Sequence, residues 1–263
     1  MAPALPKLRT DLIVCRQQTS TGICFVIKDP VSAAFFRFGE TEHFIARQLD
    51  GQTTLESIRQ RAEKYFDAAL APEILNAFIK SLEKGGLLET DGVHAPHSSA
   101  TKRITGNPLY LRFRIFDPDQ LFNRLAPRIQ FFFTPSFMFV SGAFILFAFA
   151  IALGHWSDYL DDLPRLYHFS AIPVFLTISF LVVSMHEFAH GLTCKHFGGE
   201  VHEIGFFLVY LQPALYCNVS DAWLFPEKSK RLWVGFAGPY FELFLWSVAT
   251  LAWHATDTDT VRM

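Results

Sequence analysis

Three stretches of this chain carry almost no charge, and that constrains its fold more than any other property. No Asp, Glu, Lys or Arg occurs from Ile129 to Gly154, and none from Phe169 to Met185. From Leu232 to Trp253 the one charged side chain is Glu242. Crossing the hydrocarbon of a bilayer takes about 20 apolar residues, and Phe131–Leu153 alone supplies 23. The pattern predicts spans over 131–153, 169–194 and 232–253. A hydrophobic fraction of 51% with 29 clustered phenylalanines fits that reading, as does a mean hydropathy of +0.23. The formal net charge of −2 gives no electrostatic case for a nucleic-acid partner. Met1 to Lys28 is charged throughout and reads as part of a folded domain rather than a secretory signal.

Cationic residues set the expected orientation. Arg112, Arg114, Arg124 and Arg128 precede the first run, and Lys195, Lys228, Lys230 and Arg231 lie between the second and third. The loop carrying Asp158, Asp161 and Asp162 is acidic, as is the tail at Asp257–Asp259. The expectation is a multi-pass protein of the cell membrane with its N-terminus cytosolic and its second helix running inward.

Near the inner end of that second run stands His186-Glu187-Phe188-Ala189-His190, an HExxH pattern. On a helix the two histidines project from one face at i and i+4. Neutral imidazoles so placed can share a zinc ion, with Glu187 beside them as general base. An ionisable cluster inside an apolar segment points to function, because it is costly unless something pairs it.

Before these runs, residues 1–95 read as a small α+β domain. Asp11–Arg16 and Ile23–Lys28 have strand character, with Thr21-Gly22 as turn chemistry between them. Three helices follow: one near Thr41–Asp50, one opened by the Thr53-Thr54-Leu55-Glu56 capping pattern, and one with Pro72 in its first turn ending at Gly85-Gly86. Leu87–Thr90 reads as a closing strand. Residues 96–130 read as linker and juxtamembrane segment, including Leu109–Ile115 as a strand or interfacial stretch and a short helix from Asp117-Pro118 to Leu125. Ile204–Trp223 is apolar but broken by Pro213 and Asn218, which predicts a re-entrant or hairpin segment. The four cysteines, Cys15, Cys24, Cys194 and Cys217, contain no CxxC pair and suggest no disulfide framework; Cys15 and Cys24 read as small core side chains.

Strands, then three helices, then a short strand resemble the winged-helix peptide-binding domains of the PqqD-like type. That resemblance implies capture of a peptide by strand addition; a plain packing domain is the other reading. His186–His190 with Gly191, then Gly198-Gly199, Val201 and Gly205, resembles the first signature of the site-2 proteases. Ala237-Gly238-Pro239 with Glu242 is similar to their AGPxxN element, with Glu where that family has Asn. Tyr216–Trp223 resembles the peptide zinc metalloprotease subgroup. The resemblance implies a mainly α membrane zinc protease, its HExxH on a transmembrane helix within residues 131–254. It would act near the cytosolic face on peptides or membrane-anchored substrates, with the bilayer and export-system proteins as further partners.

The family takes its third zinc ligand from an Asp-Gly element in a later span, and none follows Trp253. Asp221 is one substitute, the other reading for it being a solvated loop acid or turn cap; Cys194, four residues beyond His190, is another, against a reading as a small packing residue. His196 and His202 read as solvated loop histidines, and Leu49-Asp50-Gly51 as a helix stop. The economical expectation is that the chain is the N-terminal part of a longer protein whose third ligand lies beyond Met263. The rival function is a non-catalytic docking module that presents peptides to an export or maturation partner.

Overall fold

The structure is a computed structural model that describes residues 5–20, 22–89, 104–107, 110–162, 164, 168–209 and 212–256. It divides into two compact units: residues 1–102 with Trp223–Glu227, and the remainder.

In the first unit, β1 (Ile13–Thr19), β2 (Gly22–Lys28) and β3 (Phe35–Phe38) form an antiparallel sheet in that order. Three helices follow, α1 (Glu40–Arg47), α2 (Leu55–Phe66) and α3 (Pro72–Lys84). α2 starts at the expected pattern, but with Thr54 as its cap: the Thr54 hydroxyl accepts from Ser57 N–H, while Thr53 bonds Asp50 and Glu56 pairs with Arg59, so no Thr53–Glu56 box forms. Pro72 opens α3 as expected, where its missing N–H costs nothing. Apolar positions at helical spacing bury Ile45, Ile58, Leu75 and Leu82 against Ile27 and Phe38 of the sheet. The expected closing strand reduces to a single bridge between Leu88 and Leu8. Within this unit the Gln17 side chain donates to the carbonyls of Trp223 and Phe225.

The second unit contains a four-stranded antiparallel sheet that the sequence reading did not foresee as one object. It runs β4 (Ile104–Asn107), β5 (Tyr110–Phe116), β6 (Ile204–Val209) and β7 (Gln212–Cys217). The end of the expected linker is therefore a strand; residues 90–103 lie outside the described residues. Ile204–Trp223 is a hairpin rather than a re-entrant loop through Cys217, and its backbone groups find partners in the neighbouring strands. Arg112 clamps three of these segments. Its guanidinium donates to both Glu203 oxygens (3.0 and 2.7 Å) and to the Tyr216 hydroxyl (2.9 Å), and lies over the Tyr216 ring. Burial, with the bond to Glu203, pushes the Tyr216 hydroxyl up to about 12.

Between the strands lie the helices. The short α4 (Asp119–Leu125) leads through a 3-10 stretch, Ala126–Phe133, into α5 (Pro135–Gly154). A short α6 (Trp156–Asp162) precedes α7 (Ile172–His196), and α8 (Lys228–Ala255) closes the described chain. The first predicted span thus begins four residues late, because Thr134 caps α5 and Pro135 sits at its first position. Three segments, Pro135–Gly154, Phe169–His196 and Lys228–Ala255, are long and apolar enough to cross a membrane. Their outward faces are apolar: Phe139, Leu146, Leu176 and Leu232 are all exposed. Small and hydroxylated residues occupy the buried positions, among them Ser141, Ala148, Ser247 and Thr250, as close helix approach favours. Ser141 also shares a hydrogen bond with the Tyr240 hydroxyl.

The inner end of α7 is anchored by α4. Phe122 is fully buried and meets Phe188 edge-on at 5.4 Å between ring centroids. It fits because Gly191 has no side chain: a Cβ there would lie 2.3 Å from the Phe122 ring and 2.9 Å from Cys217 Sγ. Asp119 completes the anchor, accepting from Lys195 Nζ at 2.6 Å and from Val201 N–H at 3.0 Å.

Burial alone would raise the Asp119 carboxyl, but the Lys195 and Val201 hydrogen bonds outweigh it and hold it below the ordinary carboxylate value. A carboxyl depressed by folding stabilises the fold fully above its unfolded pKa, ordinarily about 3.9. That contribution fades as pH falls through the lower, folded value. Asp119→Asn is expected to cost about 1 kcal/mol at neutral pH, the pair being partly solvated. Thermal unfolding in detergent should show the difference from the unsubstituted protein shrinking below about pH 4.

Candidate metal centre

Helical periodicity sends the residues of HExxH to three different neighbours. His186 and His190 face α8, Glu187 faces the end of β7, and Phe188 and Ala189 line an apolar cavity of 360 Å³ with Met185, Trp233, Tyr240 and Phe244. The two imidazoles converge: His186 Nε2 and His190 Nε2 are 3.0 Å apart.

The far nitrogens decide what those converging atoms are. His190 Nδ1 lies 2.6 Å from the Val234 carbonyl oxygen, which can only accept, so Nδ1 carries the proton. In the neutral ring Nε2 then presents a lone pair. His186 Nδ1 lies 3.0 Å from Glu242 Oε1, within ion-pair distance but off the direction a hydrogen bond requires. A proton on that nitrogen likewise leaves a lone pair on His186 Nε2. Two lone pairs 3.0 Å apart repel unless a proton or a cation lies between them.

Glu187 is fixed from a different element. Its Oε2 accepts from Cys217 N–H at 2.7 Å, so the last residue of β7 holds a carboxylate borne by α7. Burial, then the nearby Glu187 and Cys194, push the Cys217 thiol above its ordinary value, so it stays protonated.

The other candidates go elsewhere. Asp221 is buried in a 3-10 turn, where its carboxylate accepts from Glu200 N–H at 3.1 Å; the structure does not bring it to the histidine pair. Cys194 is fully buried in α7. His196 is not a solvated loop residue: it ends α7 and stacks on Phe133 with ring centroids 3.8 Å apart. His202 is exposed between Asp117 and Glu200. Asp50 caps a turn in the first unit through Gln52 and Thr53 N–H, as the helix-stop reading expects. Among the described residues, no three His, Cys, Asp or Glu side chains come together as a metal-binding group. The donor set in hand is two imidazole nitrogens with a carboxylate beside them, which fits zinc or a similar divalent ion.

The contribution of α8 was not legible beforehand. Val234, Gly238 and Glu242 recur every four residues and so form one stripe along this helix. Val234 and Glu242 approach the two far nitrogens, and Gly238 supplies the space between. A Cβ at Gly238 would lie 2.4 Å from His186 Nε2. The Gly-Pro-x-x-Glu run was the available signal, but only the packing of α7 on α8 assigns its role.

No protein-family model, curated protein or solved structure matches this chain.

Gly238→Ala is expected to force the His186 ring aside, lowering the thermal midpoint and shifting the His186 side-chain resonances while those of His202 stay in place. An overpacked site of this kind costs about 1–3 kcal/mol. Gly235→Ala is the control: its Cβ meets nothing within 4 Å. The higher helix propensity of Ala should leave that variant as stable as the parent or slightly more so.

Proposed function

We propose that this protein is a multi-pass membrane zinc metallopeptidase, oriented with its N-terminal unit in the cytosol, that hydrolyses peptide bonds in peptides or membrane-anchored substrates. The observation that carries the reading is the pair of facing Nε2 atoms 3.0 Å apart with Nδ1 of His190 held by a carbonyl. Such a pair is built for a shared cation. His186 and His190 would hold the zinc. A catalytic zinc takes three protein ligands, and among the described residues these two histidines are joined by no third. The membrane setting is supported by three helices with apolar outer faces and by the arginines and lysines grouped at one end of each predicted span.

When bound, zinc supplies a Lewis acid for the scissile carbonyl and a water of lowered pKa. The chain's own residues do the rest. His190 presents the lone pair of its Nε2, because its Nδ1–H donates to the Val234 carbonyl. Glu187 has one oxygen tied to Cys217 N–H, which leaves Oε1 to accept a proton from the attacking water and return it to the leaving amine. The apolar cavity beside Phe188 and Ala189 suits an apolar side chain of the substrate.

The test uses the intact protein purified in detergent, with elemental analysis and a membrane-anchored peptide substrate. About one zinc per chain is expected, lost in His186→Ala. Glu187→Gln should keep the metal and slow cleavage by at least about a hundredfold. A protein that binds no divalent metal would overturn the proposal in favour of a docking module, and full cleavage by Glu187→Gln would overturn the assigned base.

A further inference from the structure

One buried side-chain polar atom among the described residues lacks a hydrogen-bond partner, and it is His186 Nδ1. It lies 3.0 Å from Glu242 Oε1, a charge standing alone in the apolar run of α8. An unsatisfied buried nitrogen is costly, and so is a carboxylate in an apolar segment whose nearest partner is misaligned. A small rotation of the Glu242 side chain would remove both penalties at once.

The geometry points to Glu242 as the positioning residue for His186: its carboxylate accepts the Nδ1 proton, fixes the ring's tautomer and turn, and so leaves Nε2 unprotonated toward His190. This rests on reading the pair as a metal centre, and it gives a task to the position where the resemblance expected Asn. The two histidines are then oriented by one helix in two ways. The backbone of Val234 serves His190 and the side chain of Glu242 serves His186, one turn of α8 to either side of Gly238. A carboxylate acceptor also makes the imidazole a stronger donor than a carbonyl does. Glu242 itself stays off the metal, because it addresses the nitrogen of His186 that points away from His190.

Two readouts on the intact protein test this. In metal-free protein with ¹⁵N-labelled histidine, His186 should appear as the Nδ1–H tautomer; Glu242→Leu should shift it toward a mixture of tautomers. His190, held by a backbone carbonyl, should remain Nδ1–H in both and reports that the fold is intact. In cobalt titrations followed by visible absorption, Glu242→Leu should weaken affinity by about tenfold to a hundredfold. Glu242→Gln keeps an acceptor oxygen and should restore both the tautomer and most of the affinity. An unchanged His186 tautomer in Glu242→Leu overturns the inference, as does an unchanged cobalt affinity. A Gln variant as impaired as the Leu variant, with His190 unperturbed, overturns the acceptor role as well. Should the unsubstituted protein bind no cobalt, the metal-centre reading fails, while the tautomer measurement still tests Glu242.

Discussion

Two imidazole nitrogens 3.0 Å apart hold together only with a proton or a cation between them, and much of the second unit keeps them there. Left alone, two imidazoles one turn apart on a helix would rotate apart toward solvent. Here Val234 holds one ring by its far nitrogen, Glu242 faces the far nitrogen of the other, and the bare backbone of Gly238 admits the His186 ring. Were a cation to replace the proton, as proposed above, rings already held in this way would not have to be ordered again. Helix α7 contributes donors, and α8 contributes the constraint on them.

The same helices face outward with side chains that water does not favour, so polar groups inside them have to be accounted for one at a time. Ser141 bonds Tyr240 and the Phe137 carbonyl, Ser247 bonds the Phe244 carbonyl, and Glu187 bonds Cys217 N–H. His186 Nδ1 is the exception, and it sits where the proposed chemistry is. At the end of α7 the environment turns polar: Lys195 and Asp119 pair, and the Arg112–Glu203–Tyr216 cluster ties the sheet together. The pair of histidines therefore stands between an apolar bundle and a hydrogen-bonded sheet.

Local signals were legible because their physics is local. The Thr54 cap, Pro72 at a helix start and the i, i+4 histidines depend on neighbours within a turn. The apolar runs were legible for the same reason, though their ends moved by a few residues where Thr134 and Pro135 define the start of α5. What escaped depends on pairing across the chain. β4 occupies a polar, glycine-containing stretch with no strand signature, and becomes a strand because β5 lies beside it. Asp221 had suitable chemistry for a ligand, but its carboxylate is used by Glu200 N–H. His196 looked solvated until Phe133 supplied a ring to stack on. Glu242 was visible as a departure from a motif, and the departure acquired a meaning only through its distance from His186.

Glu187 is held by β7 rather than by its own helix, and β7 belongs to a sheet whose closure joins distant parts of the chain: the Arg112–Glu203 pair alone links positions 91 residues apart. Long closures come late in folding, since their entropic cost precedes their reward. The nearer contacts, Glu187 with Cys217 across 30 residues and His190 with Val234 across 44, do not wait for that closure. Loosening the Arg112 clamp would therefore reach Glu187 through Tyr216 and Cys217, while leaving the α7–α8 contacts of the histidines as they are.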